Sequence, residues 1–201
     1  MFFFRGKLNA PFAVVCPGGG FSYVGSLHEG FPLALRISQS GFNAFVIRYR
    51  LGSEQHATKD LAAAISFIFR NADELGVSTH DYALWGGSAG ARMVGNIAIA
   101  GMPAYGEGDL PKPASVIMAY TGQRSWSPNC PPVFATVAAN DGIVDARAVD
   151  TRVENLRKAG VEVEYHRFQS AGHGFGLGTG TDAEGWLDSG VDFWSRHIRK
   201  N

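Results

Sequence analysis

Residues Phe12–Cys16 run Phe-Ala-Val-Val-Cys without a polar interruption and then meet Pro17 and three glycines. Short apolar runs of the same kind recur at Ala44–Ile47, Tyr82–Trp85, Val116–Tyr120 and Val133–Ala138. Runs that are continuous rather than alternating predict strands buried on both faces, the condition of a mostly parallel sheet. Val161–Phe168 instead alternates with period two, as a strand at or near a sheet edge does.

Between these runs the apolar spacing changes to that of helices. A helix is predicted over 32–40, with Pro32 in its first turn and Gly41 as its stop. Over 58–75, Leu61, Ile65, Ile68, Ala72 and Leu75 fall on one stripe that Gly76 closes. A third helix is predicted over 89–100, directly after Gly86-Gly87-Ser88. A fourth covers 146–159, with Val149, Val153 and Leu156 facing inward. The last begins at Thr181, where Glu184 completes a capping box, and buries Trp186, Leu187, Val191, Trp194 and Ile198. Six strands and about five helices in alternation predict a single α/β domain over residues 1–201, with helices on both faces of the sheet. In such sheets chemistry is sought in the loops that follow the carboxyl ends of the strands.

Composition narrows the function classes. Eighteen basic and 18 acidic side chains give no net charge, which argues against nucleic-acid and anionic-membrane partners. Cys16 and Cys130 have no CxxC spacing, so neither a zinc site nor a disulfide framework is indicated. The opening Met1-Phe2-Phe3-Phe4-Arg5 is too short for a signal-peptide core, and no run approaches the ~18–20 apolar residues of a membrane span. A soluble, cytoplasmic protein is expected. Glycine is the outlier at 26 of 201 residues, and its clustering indicates backbone brought close to something.

The most informative cluster is Gly86-Gly87-Ser88-Ala89-Gly90, a G-x-S-x-G between a strand and a helix. A serine there sits on a turn too tight for neighbouring side chains, with its hydroxyl presented above the positive end of the next helix. The plainer alternative is a serine that simply caps that helix. Gly18-Gly19-Gly20 follows the first buried run, where bare amides can be aimed at a developing oxyanion together with the amide of Ala89. A phosphate loop is excluded: Gly20 and Gly25 have the spacing, but Ser26-Leu27 stands where Lys-Ser/Thr is required, and no G-x-G-x-x-G fits.

A base and an acid are then sought. His173, in Ala171-Gly172-His173-Gly174, lies just past the last strand, within reach of the carboxyl edge of the sheet. His28-Glu29 invites a metalloprotease reading, but Pro32 occupies the place of the second histidine. His56, His80 and His197 read as solvated, and His166 as a sheet-face residue. Asp141 and Asp145 both follow the strand that ends near Ala139. Asp145 immediately precedes a helix and suits capping, which leaves Asp141 as the favoured partner of the imidazole.

The order Ser88, Asp141, His173, with Pro17-Gly18-Gly19-Gly20-Phe21, Gly41–Arg50, Gly86–Gly90, Asn140–Val144 and Gly172-His173-Gly174, resembles the α/β-hydrolase superfamily. In particular it resembles acetyl-esterase and acetyl-xylan-esterase-like enzymes, related to hormone-sensitive lipases and prolyl-oligopeptidase catalytic domains. The resemblance implies Ser88 as nucleophile, His173 as general base, Asp141 as acid, and Gly19, Gly20 and Ala89 as oxyanion donors. Which two of the three glycines donate stays open. Two departures stand out. Cys16-Pro17 replaces the histidine or aromatic that relatives often carry, and the first antiparallel strand pair is missing or reduced to Phe2-Phe3-Phe4. The latter leaves a sheet edge that must be short, covered, or paired with a second copy of the chain.

The expected reaction is hydrolysis of a small ester through an acyl-enzyme, with no metal or organic cofactor. Only residues 121–132 separate two strands where lipases insert a lid, so short acyl groups are expected, acetyl first. An open side would admit a sugar alcohol, with Phe21, Tyr23 and Trp126 as candidate wall residues. The rivals are a peptidase-like serine hydrolase and a non-catalytic binding module on the same scaffold.

Overall fold

The computed structural model describes residues 1–199. Seven strands form one sheet: β1 (Phe2–Phe4), β2 (Pro11–Cys16), β3 (Asn43–Val46), β4 (Ser78–Gly87), β5 (Ser115–Ala119), β6 (Val133–Ala138) and β7 (Val163–Phe168). Their order across the sheet is β1-β3-β2-β4-β5-β6-β7. Only β1 runs antiparallel, against β3, and every other neighbouring pair is parallel. The helices are α1 (Phe31–Gln39), α2 (Glu54–Arg70), α3 (Ala72–Leu75), α4 (Ala89–Ala100), α5 (Ala146–Lys158) and α6 (Trp186–Arg196). This is the α/β-hydrolase architecture, and no helix stands between β5 and β6 to form a cap.

Each strand is apolar throughout because it has two dry faces. In β2, Phe12, Val14 and Cys16 join the core that packs under α2, α4 and α5, through Leu61, Ile65, Met93, Val94, Val153 and Leu156. Ala13 and Val15 point the other way, to a second core with Leu33 and Ile37 of α1 and Trp186, Val191 and Trp194 of α6. Successive side chains on opposite faces therefore meet different helix layers, and neither set tolerates charge. β7 closes one edge with no fully buried residue and Arg167 exposed, consistent with its alternating pattern. β1 is the other edge and is three residues long, so it offers little backbone to a pairing strand.

Three predicted elements differ in extent. The helix expected over 58–75 starts earlier, at Glu54, with Ser53 capping the His56 amide, and it breaks at Asn71. The Asn71 side-chain amide donates to the Phe67 carbonyl at 2.7 Å, a local bond that competes with continuing the helix. The last helix begins at Trp186 rather than Thr181. Gly185 adopts φ 87°, which a continuous helix cannot accommodate. The Thr181 and Glu184 side chains still bond to nearby amides, of Ala183 and Gly180, but in a separate turn. β4 extends back to Ser78 because its polar first half pairs with the start of β2. His197 is not solvated: its ring is 14% exposed and lies against Glu162, and its Nδ1–H donates to the Phe193 carbonyl. Among the described residues no helix is long and apolar enough to cross a membrane.

The crossing of β4 into α4 shows why glycine is needed beside the sheet. A side-chain carbon on Gly90 would lie 1.9 Å from the Cys16 carbonyl oxygen, so α4 could not pack this close to β2. Gly90→Ala is accordingly expected to destabilise the fold by at least about 1–3 kcal/mol, because backbone must move. Chemical denaturation of wild type and variant measures this, and an unchanged midpoint would contradict the contact.

Candidate active site

The carboxyl ends of β2, β4, β6 and β7 bring together residues far apart in the chain. Ser88 follows Gly87, the last residue of β4, at φ 50° and ψ −116°, a conformation rarely adopted outside glycine. Its amide donates to the Ala119 carbonyl at 3.0 Å, anchoring the turn to the end of β5. Although Ser88 occupies the cap position of α4, its hydroxyl makes no capping bond. It lies instead 2.9 Å from His173 Nε2.

His173 Nδ1 is 2.8 Å from Asp141 Oδ2 and 3.0 Å from Oδ1. A carboxylate only accepts, so Nδ1 carries the hydrogen and Nε2 is left to accept from the Ser88 hydroxyl. The Asp141 side chain is fully buried, and that of His173 is 15% exposed. Asp141 Oδ1 also accepts from the amides of Ile143 and Val144, both at 2.8 Å. The Gly172 amide bonds Asn140 Oδ1 at 2.8 Å, tying the histidine loop to the aspartate loop. Asp145 does what its position suggested and caps α5, accepting from the Arg147 amide at 3.0 Å.

On the other side of Ser88 lies the glycine loop. The Gly18 amide donates to Glu29 Oε2 at 2.7 Å, and its carbonyl accepts from Gly25 at 2.9 Å. Tyr49 Oη donates to the Pro17 carbonyl at 2.7 Å. By contrast, the amides of Gly19 and Gly20 donate to no protein acceptor among the described residues. Ala89, first in α4, likewise has no preceding turn to bond. Gly19 sits at φ 131°, and a side-chain carbon there would lie 2.1 Å from the Tyr23 carbonyl oxygen.

Three residues that the sequence did not single out for this site surround it. Glu29, on the single wide turn Ser26–Gly30, points its carboxylate at the glycine loop. Burial pushes this carboxyl up from its usual range, while the Gly18 amide and the nearby His28 and His173 oppose the shift. Tyr120 is fully enclosed and packs edge-on to the His173 ring at 5.3 Å. Its hydroxyl lies beside Glu29 and Gly176 with no well-aligned partner, and burial raises its pKa well above the usual phenol value. His28 Nε2 is 2.8 Å from the Gly174 carbonyl, to which it donates, and so holds the histidine loop. Cys16 faces the core, and burial pushes its thiol far up, so it is inert.

The candidate wall residues separate. Tyr23 lines an apolar cavity of about 560 Å³ together with Phe2, Leu27, His28, Phe31 and Arg48. Phe21 packs against Tyr49 at 6.3 Å between ring centres. Trp126, 40% exposed, lies outside that cavity, on a segment held where Arg152 Nε donates to the Ser125 carbonyl. Among the described residues no three His, Cys, Asp or Glu side chains are grouped as a metal site.

The model of the BD-FAE family matches residues 5–108, and that of the dienelactone hydrolase family residues 89–185. The chain is 23% identical, over 86% of its length, to endo-1,4-beta-xylanase B of Butyrivibrio fibrisolvens, covering 34% of that protein. It is also 23% identical, over 81% of its length, to the acetylxylan esterase of Xylanibacter ruminicola, covering 40% of that protein. It thus spans well under half of either curated relative. Among solved structures, the α/β-hydrolase enzyme MGS-M1 from a Medee basin deep-sea metagenome library superposes with TM-score 0.81 at 27% identity. That match covers 95% of this chain and 85% of the other.

Proposed function

Because the chain belongs to the BD-FAE family and has the α/β-hydrolase fold, we propose that it is a serine carboxylesterase for short-chain esters, acetyl esters of carbohydrates foremost. The observation that carries this reading is the continuous relay Ser88 Oγ, His173 Nε2, His173 Nδ1, Asp141, with steps of 2.9 and 2.8 Å. The relation to an acetylxylan esterase supports the acetyl and carbohydrate parts.

Ser88 Oγ attacks the ester carbonyl as His173 Nε2 takes its proton, and Asp141 stabilises the imidazolium that forms. The carbonyl oxygen becomes an oxyanion between the free amides of Gly19 and Gly20 and that of Ala89. The Gly18 amide is excluded from this set because Glu29 already occupies it. Collapse of the intermediate expels the alcohol, which receives the proton from His173 and leaves an acyl-serine. Water, deprotonated by the same imidazole, attacks the acyl carbon and releases the acid, restoring Ser88. The scheme calls on no metal or organic cofactor.

With no cap between β5 and β6 a long acyl chain would lie in water. In a series of p-nitrophenyl esters, kcat/KM is therefore expected to be highest at acetate or propionate and to gain nothing by octanoate, because methylenes that stay in water on binding supply no transfer energy, whereas a covered pocket would gain about tenfold for every two methylenes it buries. Deacetylation of acetylated xylan, measured as released acetate, tests the carbohydrate assignment. A peak at long chains would refute the open site, and no acetate release would remove the xylan-type substrate.

A further inference from the structure

We propose that Glu29 is a positioning residue of this site, a half-buried carboxylate that clamps the glycine loop beside the nucleophile turn and the histidine loop. The proposal rests on the Ser88 reading above and explains what holds its amides in place. Points where side-chain carbons on Gly18, Gly87 and Gly174 would lie are 2.7, 2.6 and 3.5 Å from the Glu29 oxygens. These glycines belong to the glycine loop, the nucleophile turn and the histidine loop, so one carboxylate lies beside all three segments and is bonded to the first. The same points on Gly18 and Gly87 lie 2.9 Å from Ser88 Cβ and 2.7 Å from Tyr120 Oη. The clamp is therefore set directly beside the nucleophile.

Its chemistry fixes the role. A carboxylate has only acceptors, and a negative charge beside an oxyanion would oppose it, so Glu29 does not act on the intermediate's oxygen. It acts through Gly18, whose amide it engages with a short charge-assisted bond. With that amide fixed and the Pro17 and Gly18 carbonyls held by Tyr49 and Gly25, the next two amides are the ones left free. A partly desolvated charge of this kind is costly unless it is hydrogen-bonded or paired. The groups facing it are His28 on its own turn, Tyr49 after β3, Tyr120 after β5, and His173 after β7, with Asp141 behind the imidazole. Of these, His173 becomes a cation in the same step that forms the oxyanion, so the charge on Glu29 suits the transition state at the imidazole. His28 secures the opposite flank through Gly174. The turn Ser26–Gly30 thus grips both sides of the site.

The test uses Glu29→Gln, which keeps the shape and an acceptor but removes the charge, and Glu29→Ala, which removes both. Turnover of p-nitrophenyl acetate is normalised to sites titrated with a fluorophosphonate, so that any misfolded fraction is discounted. Glu29→Ala is expected to lose about 10²–10³-fold in kcat per titrated site, the effect of a disabled oxyanion donor, with KM within about threefold of wild type. Glu29→Gln is expected to recover part of that loss, and its kcat/KM profile to lose one ionisation from the acid limb, where protonation weakens the wild-type clamp. A second readout needs no turnover. In ¹⁵N-labelled protein the Gly18 amide proton, bonded to a carboxylate, should resonate downfield and titrate with acid, and both properties should vanish in Glu29→Gln. Wild-type kcat per site with an unchanged acid limb in both variants would overturn the proposal, as would a loss confined to the titratable fraction or to thermal stability. If Ser88→Ala kept full turnover the esterase mechanism would fall instead, while the Gly18 resonance would still decide whether Glu29 holds the loop.

Discussion

Ser88→Ala is expected to lower kcat for p-nitrophenyl acetate by about 10⁴–10⁶-fold, leaving only what the oxyanion amides and binding supply. The substitution removes one oxygen whose bond is to His173 Nε2 at 2.9 Å. Because the hydroxyl caps nothing in α4, the fold has little to lose with it. The turn is held by other means: the Ser88 amide on the Ala119 carbonyl, and the close approach of Gly90 to Cys16. The thermal midpoint should therefore stay near that of wild type while turnover and fluorophosphonate labelling disappear. Labelling also separates an enzyme from a binding module, since the latter would not react. A variant that kept most of its turnover would remove Ser88 from the mechanism.

The second large effect is expected at Asp141→Asn, a loss of about 10⁴-fold in kcat with little change in KM. The reason lies in how the carboxylate is used. Oδ1 accepts from the Ile143 and Val144 amides at 2.8 Å, so an asparagine must keep its carbonyl oxygen on that side. Its NH₂ then replaces Oδ2, which lies 2.8 Å from His173 Nδ1. A donor facing Nδ1 forces the hydrogen onto Nε2, and the imidazole can no longer accept the Ser88 proton. Kinetics and a circular-dichroism melt together check this: activity should collapse while the fold persists. Retention of turnover within about tenfold of wild type would show that Asp141 is not the group that orients the imidazole.

The fold was legible because the two-sided burial of a parallel sheet writes itself into the strands. Phe12–Cys16 and Val133–Ala138 are apolar at every position, since neighbouring residues meet different helix layers. Element ends were less legible. At Asn71 a side-chain bond to the Phe67 carbonyl stops a helix whose apolar stripe continues to Leu75. At Gly185 a positive φ delays α6 although the Thr181 and Glu184 pattern is present. The first is decided by a side-chain hydrogen bond and the second by a single torsion, and hydrophobic periodicity records neither. His197 misled for a related reason, because its enclosure is completed by Glu162, a residue 35 positions earlier in the chain, in addition to Phe193 one helical turn away.

The candidate site divides along the same line. Ser88, Asp141 and His173 could be named because each stands in a strand-end loop whose local chemistry is distinctive: glycines around a serine, an aspartate ahead of a helix cap, a histidine among glycines. Glu29 carried no such mark. The His28-Glu29 pair fits only a failed metal motif in the sequence, and its use depends on bonds to the Gly18 amide and the Gly174 carbonyl.

By itself the sequence determined the α/β architecture, the chain order of the three reactive side chains and the places where bare amides could gather, because burial period, turn chemistry and glycine content are local properties. Only the tertiary structure decided that the Gly18 amide is already engaged while those of Gly19 and Gly20 stay free, that Tyr23 lines a cavity from which Trp126 is absent, and that a half-buried carboxylate sits beside the nucleophile. Those outcomes depend on distances between segments far apart in the chain, and such distances are set by how the helix layers close on the sheet.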